Sequence, residues 1–499
     1  MTQYNPVTDD IMKALKHIVG DRFASNNPDK LVAYKTDQEE NVIFQHMPEA
    51  VVYPETTEQV AEIMKLANEK RIPVTPRSGG TGLAGGAIPV RGGIVLVFDR
   101  MNKILELDPE NLYVRVQAGT PTLEIQNAAK AHGLLYAGDP CSTDAGCEIG
   151  GNISTNAGGN KAVRFGTTRN QVYSLRCVTA QGEIMDVGAR LKKQSTGYAL
   201  EQLIIGSEGT LAIVTEATLK LQALPQNTID MLAIFNDVDK ALKLPNKILK
   251  AGINPISLEL MDTNCIQLCK KNLEIDLPHA DEKGVTYVII TIDGLTADEA
   301  DEKMEKIADI CDEVGVVDML MADQDRIWRA RRDIAEATRI ESLVFYAEDI
   351  VVPVDKISDL MKKLTELEAT YGIRTMTAAH IGDGNIHVHA MQCDTPDEVW
   401  NSKLDDFHAD LYGYVYQLGG RLSGEHGIGS KKIREMEMFT PKVPLQYMRA
   451  IKKVFDPQNI LNPGKIFTDH IRGGLTAKFY PDMDEMQKYV YTKIADYFG

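Results

Sequence analysis

At 499 residues the chain exceeds what one hydrophobic core ordinarily fills, so two or three domains with room for a buried cofactor are expected. Its 71 acidic against 54 basic residues leave a formal charge of -17, which repels phosphate backbones and acidic membrane surfaces, so nucleic acid is excluded from the expected partners. The seven cysteines are scattered, and the closest pair, Cys265 and Cys269, lacks the further ligands of a zinc or iron-sulfur cluster, so they read as reduced thiols.

The N-terminal stretch carries Asp9, Asp10, Lys13 and Lys16 in an amphipathic pattern, without the basic start and apolar run of a signal peptide. Apolar runs elsewhere are strand-sized, well short of the roughly 20 residues a membrane helix needs. A cytoplasmic protein not integral to a membrane is expected. Val60, Ile63, Met64 and Ala67 have helical spacing between Thr57 and Arg71, and Ile72 to Thr75 reads as a strand. Further strands are predicted at Ile94 to Phe98, Leu112 to Val116, Val172 to Ala180 and Leu211 to Leu221, giving a domain that ends near Pro225. Beyond it, strands alternate with longer helices: Met231 to Phe235 then Val238 to Ala251, and Thr286 to Asp293 then Ala297 to Val314.

Three glycine-rich segments punctuate the first half. Pro76-Arg77-Ser78-Gly79-Gly80-Thr81-Gly82-Leu83 follows a predicted strand and offers unobstructed backbone N-H groups suited to a pyrophosphate, with a spacing that disfavours a nicotinamide-type unit. Glu148 to Gly159 supplies a second run with small hydroxyl and amide side chains, through which backbone can approach a flat ligand closely. Gly206-Ser207-Glu208-Gly209-Thr210-Leu211 leads into a strand as the third.

In the second half, His380-Ile381-Gly382-Asp383-Gly384-Asn385-Ile386-His387-Val388-His389 sets histidines on either side of a glycine turn between strand-like runs, which can aim His380 and His387 at one point. Ser423-Gly424-Glu425-His426-Gly427-Ile428-Gly429 places a carboxylate beside an imidazole. In an extended segment the two point apart, so Glu425 can face a metal while His426 faces a substrate, or the reverse. Two histidines and a carboxylate suit Zn²⁺, Fe²⁺ or Mn²⁺.

From about Pro48 to Phe467 these motifs resemble the vanillyl-alcohol oxidase superfamily, and within it the branch of FAD-linked D-lactate dehydrogenases and glycolate oxidase subunits, with its FAD-linked oxidase C-terminal domain. The resemblance implies an α+β fold: a two-subdomain FAD-binding domain over residues 1–225 and an α/β cap with a mainly antiparallel sheet over 226–420. Residues 421–467 would return to the FAD domain carrying catalytic residues, and 468–499 form a tail.

It implies FAD held by Pro76, Arg77, Ser78, Gly79, Gly80, Thr81, Gly82, Leu83, Gly150, Gly151, Asn152, Ser154, Asn156, Gly159, Glu208, Gly209, Ile213 and Asn462. No histidine lies between Pro76 and Gly86, so the FAD is expected to be non-covalent. By the same resemblance His380, His387 and Glu425 become ligands of one divalent metal ion, His426 the base, and Arg331 the clamp on a substrate carboxylate.

Relatives acting on 2-hydroxyglutarate have a threonine and a lysine where Ala335 and Ala347 fall, so a short acid such as D-lactate fits better. The implied reaction oxidises D-lactate to pyruvate and passes electrons to a separate acceptor: an electron-transferring flavoprotein, a quinone or an iron-sulfur partner subunit. Glycolate or D-2-hydroxyglutarate as substrate, or a catalytically silent flavin subunit, are the alternatives.

Overall fold

A computed structural model describes residues 4–38 and 44–468; the aromatic tail beyond lies outside the described residues. Among the described residues the chain forms two compact units. The first comprises residues 4–158, 167–224 and 426–468, the second 159–166 and 225–425.

The first unit holds strands β1 (Ala24–Ser25), β2 (Ala50–Val52), β3 (Val74–Arg77) and β4 (Ile94–Val97) in one sheet of order β1-β2-β4-β3, with β4 parallel to both neighbours. The helix Thr57–Lys70 starts where the Thr56 side chain accepts a hydrogen bond from the Gln59 N-H. It ends at Arg71 in the left-handed conformation, and buries Val60, Ile63, Met64 and Ala67. The predicted apolar stripe therefore becomes the packing face, within a core that also takes Leu15, Ile94 and Leu96.

Chain order continues with β5 (Ile104–Asp108), β6 (Tyr113–Gln117), the short β7 (Leu134–Leu135), β8 (Val172–Val178), β9 (Ile184–Gly188), β10 (Ile213–Lys220) and β11 (Gln222–Ala223). Five of these form an antiparallel sheet of order β5-β6-β10-β8-β9, while β7 and β11 pair separately. Residues 426–468 complete this unit. The Val74 N-H donates to the Ile460 carbonyl at 2.8 Å, and the Asn462 N-H donates to the Val74 carbonyl at 2.8 Å. Buried Lys452 donates to the carbonyls of Thr210 and Leu461 at 2.9 and 2.8 Å.

The second unit is built on seven strands: β12 (Ile229–Phe235), β13 (Ser257–Met261), β14 (Thr286–Ile292), β15 (Asp318–Met321), β16 (Phe345–Val351), β17 (Arg374–His380) and β18 (Asn385–Met391). Their order is β15-β12-β14-β13-β17-β18-β16, and every pairing is antiparallel. The single helix expected over Val238 to Ala251 is two, Val238–Ala241 and Leu244–Lys250. Pro245 sits in the first turn of the second, where a missing N-H costs nothing, whereas within one continuous helix it would break a hydrogen bond. Among the described residues no helix is long and apolar enough to cross a membrane.

Candidate active site

In the first unit the glycine segments meet one another. A side chain at Gly150 would collide with Ser78 and Ala118, one at Gly79 with the Gly146 carbonyl, and one at Gly209 with Pro76. The segments therefore pack too closely to admit a side chain at these glycines. Glu208 joins them: its N-H donates to the Ser154 carbonyl at 2.7 Å, and its own carbonyl accepts from Asn462 Nδ2 at 2.8 Å. Its buried carboxylate accepts the N-H groups of Ile428 and Gly429 at 2.8 and 2.6 Å, while Glu208 itself stands at φ 53°, where a residue with a side chain is strained.

The second segment is not a loop but a seven-residue helix, Ile149–Thr155, closed by Asn156 in the left-handed conformation. Ile149 and Ile153 bury one turn apart, and that packing overrides the low helix propensity of two glycines.

Several residues expected at the flavin have partners inside the protein. Asn152 Nδ2 donates to Thr122 Oγ1 at 2.6 Å, Ser154 Oγ donates to the Gly150 carbonyl at 2.7 Å, and Asn156 Oδ1 accepts from Thr167 Oγ1 and the Arg169 N-H, both at 2.9 Å. Arg77 donates to the Thr36 carbonyl at 2.5 Å and lies over the Tyr34 ring. Thr81 Oγ1 reaches Ser142 Oγ at 3.4 Å, Ile213 is buried at the start of β10, and Leu83 is exposed. Gly159 falls in the second unit.

The cradle nonetheless suits FAD. Gly82 and Gly151 are not crowded in this way, since an added methyl would make only ordinary contacts, 3.9 Å from Asp37 and 3.8 Å from Ser78. Among the described residues, Glu148 Oε2, Ser207 Oγ and Asn462 Oδ1 are buried polar atoms without a partner, on three different motifs. Burial, with Asp99 close by and only Arg77 opposing, pushes the Glu148 carboxyl up to about 8.

The second unit builds its site by register. Residues paired across antiparallel strands share a face, as do residues two apart along one strand. Asp349 pairs with His387, His387 with Ala378, and His380, two beyond Ala378, with Glu259. One row across β16, β18, β17 and β13 thus presents Asp349, His387, His380 and Glu259 on the same side. Glu348, next to Asp349, points to the other side, where it meets His408 Nε2 at 2.8 Å and accepts from Tyr412.

The extended segment after Gly420 brings Glu425 to this row. Its Oε1 lies 3.5 Å from His380 Nε2 and 3.3 Å from His387 Nε2. Asp349 fixes the approach, since its Oδ2 accepts from Ser423 Oγ and the Glu425 N-H at 2.6 and 3.0 Å, and its Oδ1 from Asn385 Nδ2 at 2.7 Å.

Glu259, fully buried, accepts on Oε2 from Arg331 Nε at 3.0 Å and forms an ion pair with Arg331 Nη2 2.7 Å away, while its Oε1 stands 2.8 Å from His380 Nδ1. Burial disfavours a charged His380, yet Glu259 and Glu425 outweigh it and hold the imidazole well above its ordinary range. Burial likewise opposes the Glu425 carboxylate, and the two histidines outweigh it, holding Glu425 well below the usual range.

These residues fit a divalent cation. Asp349, His387 and Glu425 offer ligand atoms within 4.8 Å of one another, and His380 Nε2 adds a fourth on the same carboxylate oxygen. Asp349 meets the distance requirement, but both its oxygens already accept hydrogen bonds, so His380, His387 and Glu425 are the better donor set. The two carboxylates on either side of His380, Glu259 and Glu425, favour positive charge at this point, and a divalent cation on Nε2 would take the place of the proton they hold there.

His389 shares the His387 face but is engaged elsewhere, 2.8 Å from Thr338 Oγ1 and stacked near Phe345. His426 is bonded to Glu425 and opens the return segment of the first unit. Sequence reasoning assigned no role to Glu259 or Asp349. The signal available was a carboxylate within a largely apolar strand, Glu259 in Ser257–Met261 and Asp349 beside Glu348 in Phe345–Val351.

Comparison with known proteins agrees with this architecture. Residues 48–188 match the family described as FAD binding domain, and residues 224–466 the family described as FAD linked oxidases, C-terminal domain. The chain is 36% identical to the glycolate oxidase subunit GlcD of Bacillus subtilis, covering 95% of this chain and 100% of that one. It is 34% identical to the D-lactate dehydrogenase of Anaerostipes hadrus (93% and 98%), and 38% identical to that of Archaeoglobus fulgidus (87% and 95%).

Among solved structures, p-cresol methylhydroxylase superposes with a TM-score of 0.75 at 17% identity over 92% of this chain and 96% of that one. Alkyldihydroxyacetonephosphate synthase gives 0.72 at 19% identity over 92% and 86%. These two show the fold, the α+β architecture expected from sequence. The chain belongs to the FAD-linked oxidase family, and is an FAD-binding oxidoreductase of that family.

Proposed function

We propose that the protein is an FAD- and divalent-metal-dependent dehydrogenase of small D-2-hydroxy acids, with D-lactate as substrate and pyruvate as product. The observation that carries this reading is the convergence of His380 Nε2 and His387 Nε2 on one oxygen of Glu425, inside a largely buried group of imidazoles and carboxylates. The relatives named for glycolate and D-lactate supply the substrate class.

Bound FAD supplies the two-electron acceptor, and an ion of the zinc, iron or manganese kind held by His380, His387 and Glu425 supplies a Lewis acid. Arg331 binds the substrate carboxylate, and His426 takes the hydroxyl proton as general base. The glycine segments, with Glu208 and Asn462, hold the flavin without a covalent bond. Ala347, paired with His389, and Ala335 bring no charge toward a second carboxylate, which favours lactate over a longer diacid such as 2-hydroxyglutarate. Electrons leave to a separate acceptor, an electron-transferring flavoprotein, from a protein in the cytoplasm.

Anaerobic addition of D-lactate and then L-lactate, followed by flavin absorption, tests the reading. Bleaching by the D isomer alone is expected; bleaching by neither moves the assignment to glycolate and 2-hydroxyglutarate.

A further inference from the structure

Glu259 touches neither the converging ligand atoms nor solvent, and yet two functional side chains meet on it. Its Oε2 accepts from Nε of Arg331 at 3.0 Å and is ion-paired with Nη2 at 2.7 Å, and its Oε1 lies 2.8 Å from Nδ1 of His380. A proton on Nδ1 directed at Oε1 leaves the Nε2 lone pair as the only ligand atom His380 can offer, and Nε2 is the atom facing Glu425. The carboxylate therefore selects the tautomer and fixes the ring plane. Glu259 is fully buried on strand β13, and Arg331 gives its carboxylate a cationic partner there.

Arg331 reaches it from the helix Ile327–Arg332, a separate element anchored by buried Ile327, Trp328 and Ala330. We infer that Glu259 is a positioning residue joining Arg331 to His380, so that the metal affinity of the His380, His387 and Glu425 set depends on an arginine that is not a ligand. The inference rests on the metal reading above. It adds to Arg331 a role that a clamp on the substrate carboxylate alone would not have.

Zinc affinity of the metal-stripped full-length protein, measured by competition with a chromophoric chelator, separates the possibilities without any turnover. Glu259→Gln keeps the shape and loses the charge. Its zinc affinity is expected to fall by roughly 10- to 100-fold, the usual effect of removing a hydrogen-bond partner of a metal-bound histidine. Unchanged affinity in folded Glu259→Gln overturns the inference.

Arg331→Lys, which keeps the charge but loses the fork, gives a second reading should Glu259→Gln fail to fold. Weaker zinc binding supports the tie, and wild-type affinity with only a raised KM for lactate reduces Arg331 to a substrate clamp and overturns it. Wild-type protein that takes up no zinc, iron or manganese sinks the metal reading and this inference with it, a result distinct from equal affinities in wild type and variant.

Discussion

The two units build their functional regions from opposite materials. In the first, backbone does the shaping: glycines are packed against carbonyls and each other, and a strained Glu208 ties the segments together. In the second, the backbone is regular antiparallel sheet, and side chains at fixed register positions make the site. The first region should therefore fail when an atom is added, the second when a functional group is taken away. Addition disturbs folding and cofactor retention together, whereas subtraction from a paired sheet leaves the fold standing and removes only chemistry.

The largest effect expected is at the residue that links the two regions in sequence. His426→Asn should slow flavin reduction by D-lactate by about 10²–10⁴-fold with FAD still bound, as stopped-flow absorption would show. Undiminished reduction would remove His426 as the base.

Next, His380→Ala should leave the protein folded and flavin-bound with metal content below one equivalent by elemental analysis; full occupancy would break the subtraction rule for the second unit. Gly429→Ala tests the addition rule, since the new methyl would sit 1.8 Å from the Ala84 carbonyl at a residue with φ 55°. A loss of about 1–3 kcal/mol is expected, read as a lower melting temperature. An unchanged melting point would show that the loop yields freely.

The smallest effect concerns Glu148. Its folded pKa of about 8 lies above the ordinary 4.5, so the folded state holds a proton that the unfolded state releases. The associated stability is complete below about 4.5 and is lost as pH rises through about 8. Chemical denaturation across that window should show the wild type weakening while Glu148→Gln changes less; parallel curves would mean that Glu148 ionises freely.

What was legible in the sequence follows the same division. Glycine segments are visible because crowded or left-handed backbone restricts the residue type, and Gly80, Gly209 and Gly429 all stand at positive φ. His380 and His387 were legible because a glycine turn joins their strands. Glu259 was not, because it meets His380 across 121 positions of sequence through a pairing that no local pattern specifies. Helix Ile149–Thr155 was hidden for a related reason: two glycines argue against it, and only its burial against the rest of the unit makes it form. Arg331 could be located but not its setting, since a short arginine-rich helix reads as a surface and this one is buried.

The return of residues 426–468 to the first unit sets a timetable for biosynthesis. Val74 hydrogen-bonds to Ile460 and Asn462, and Glu208 holds the amides of Ile428 and Gly429, so the first sheet and the glycine segments wait for partners translated after the whole second unit. At ribosomal speeds the interval between Leu224 and residue 468 is on the order of 10–50 s. During that time the second unit can complete its sheet while the first remains unfinished. Flavin capture is then a late event, and a nascent chain stalled before His426 should carry a formed seven-stranded sheet while its first unit is still incomplete and free of flavin.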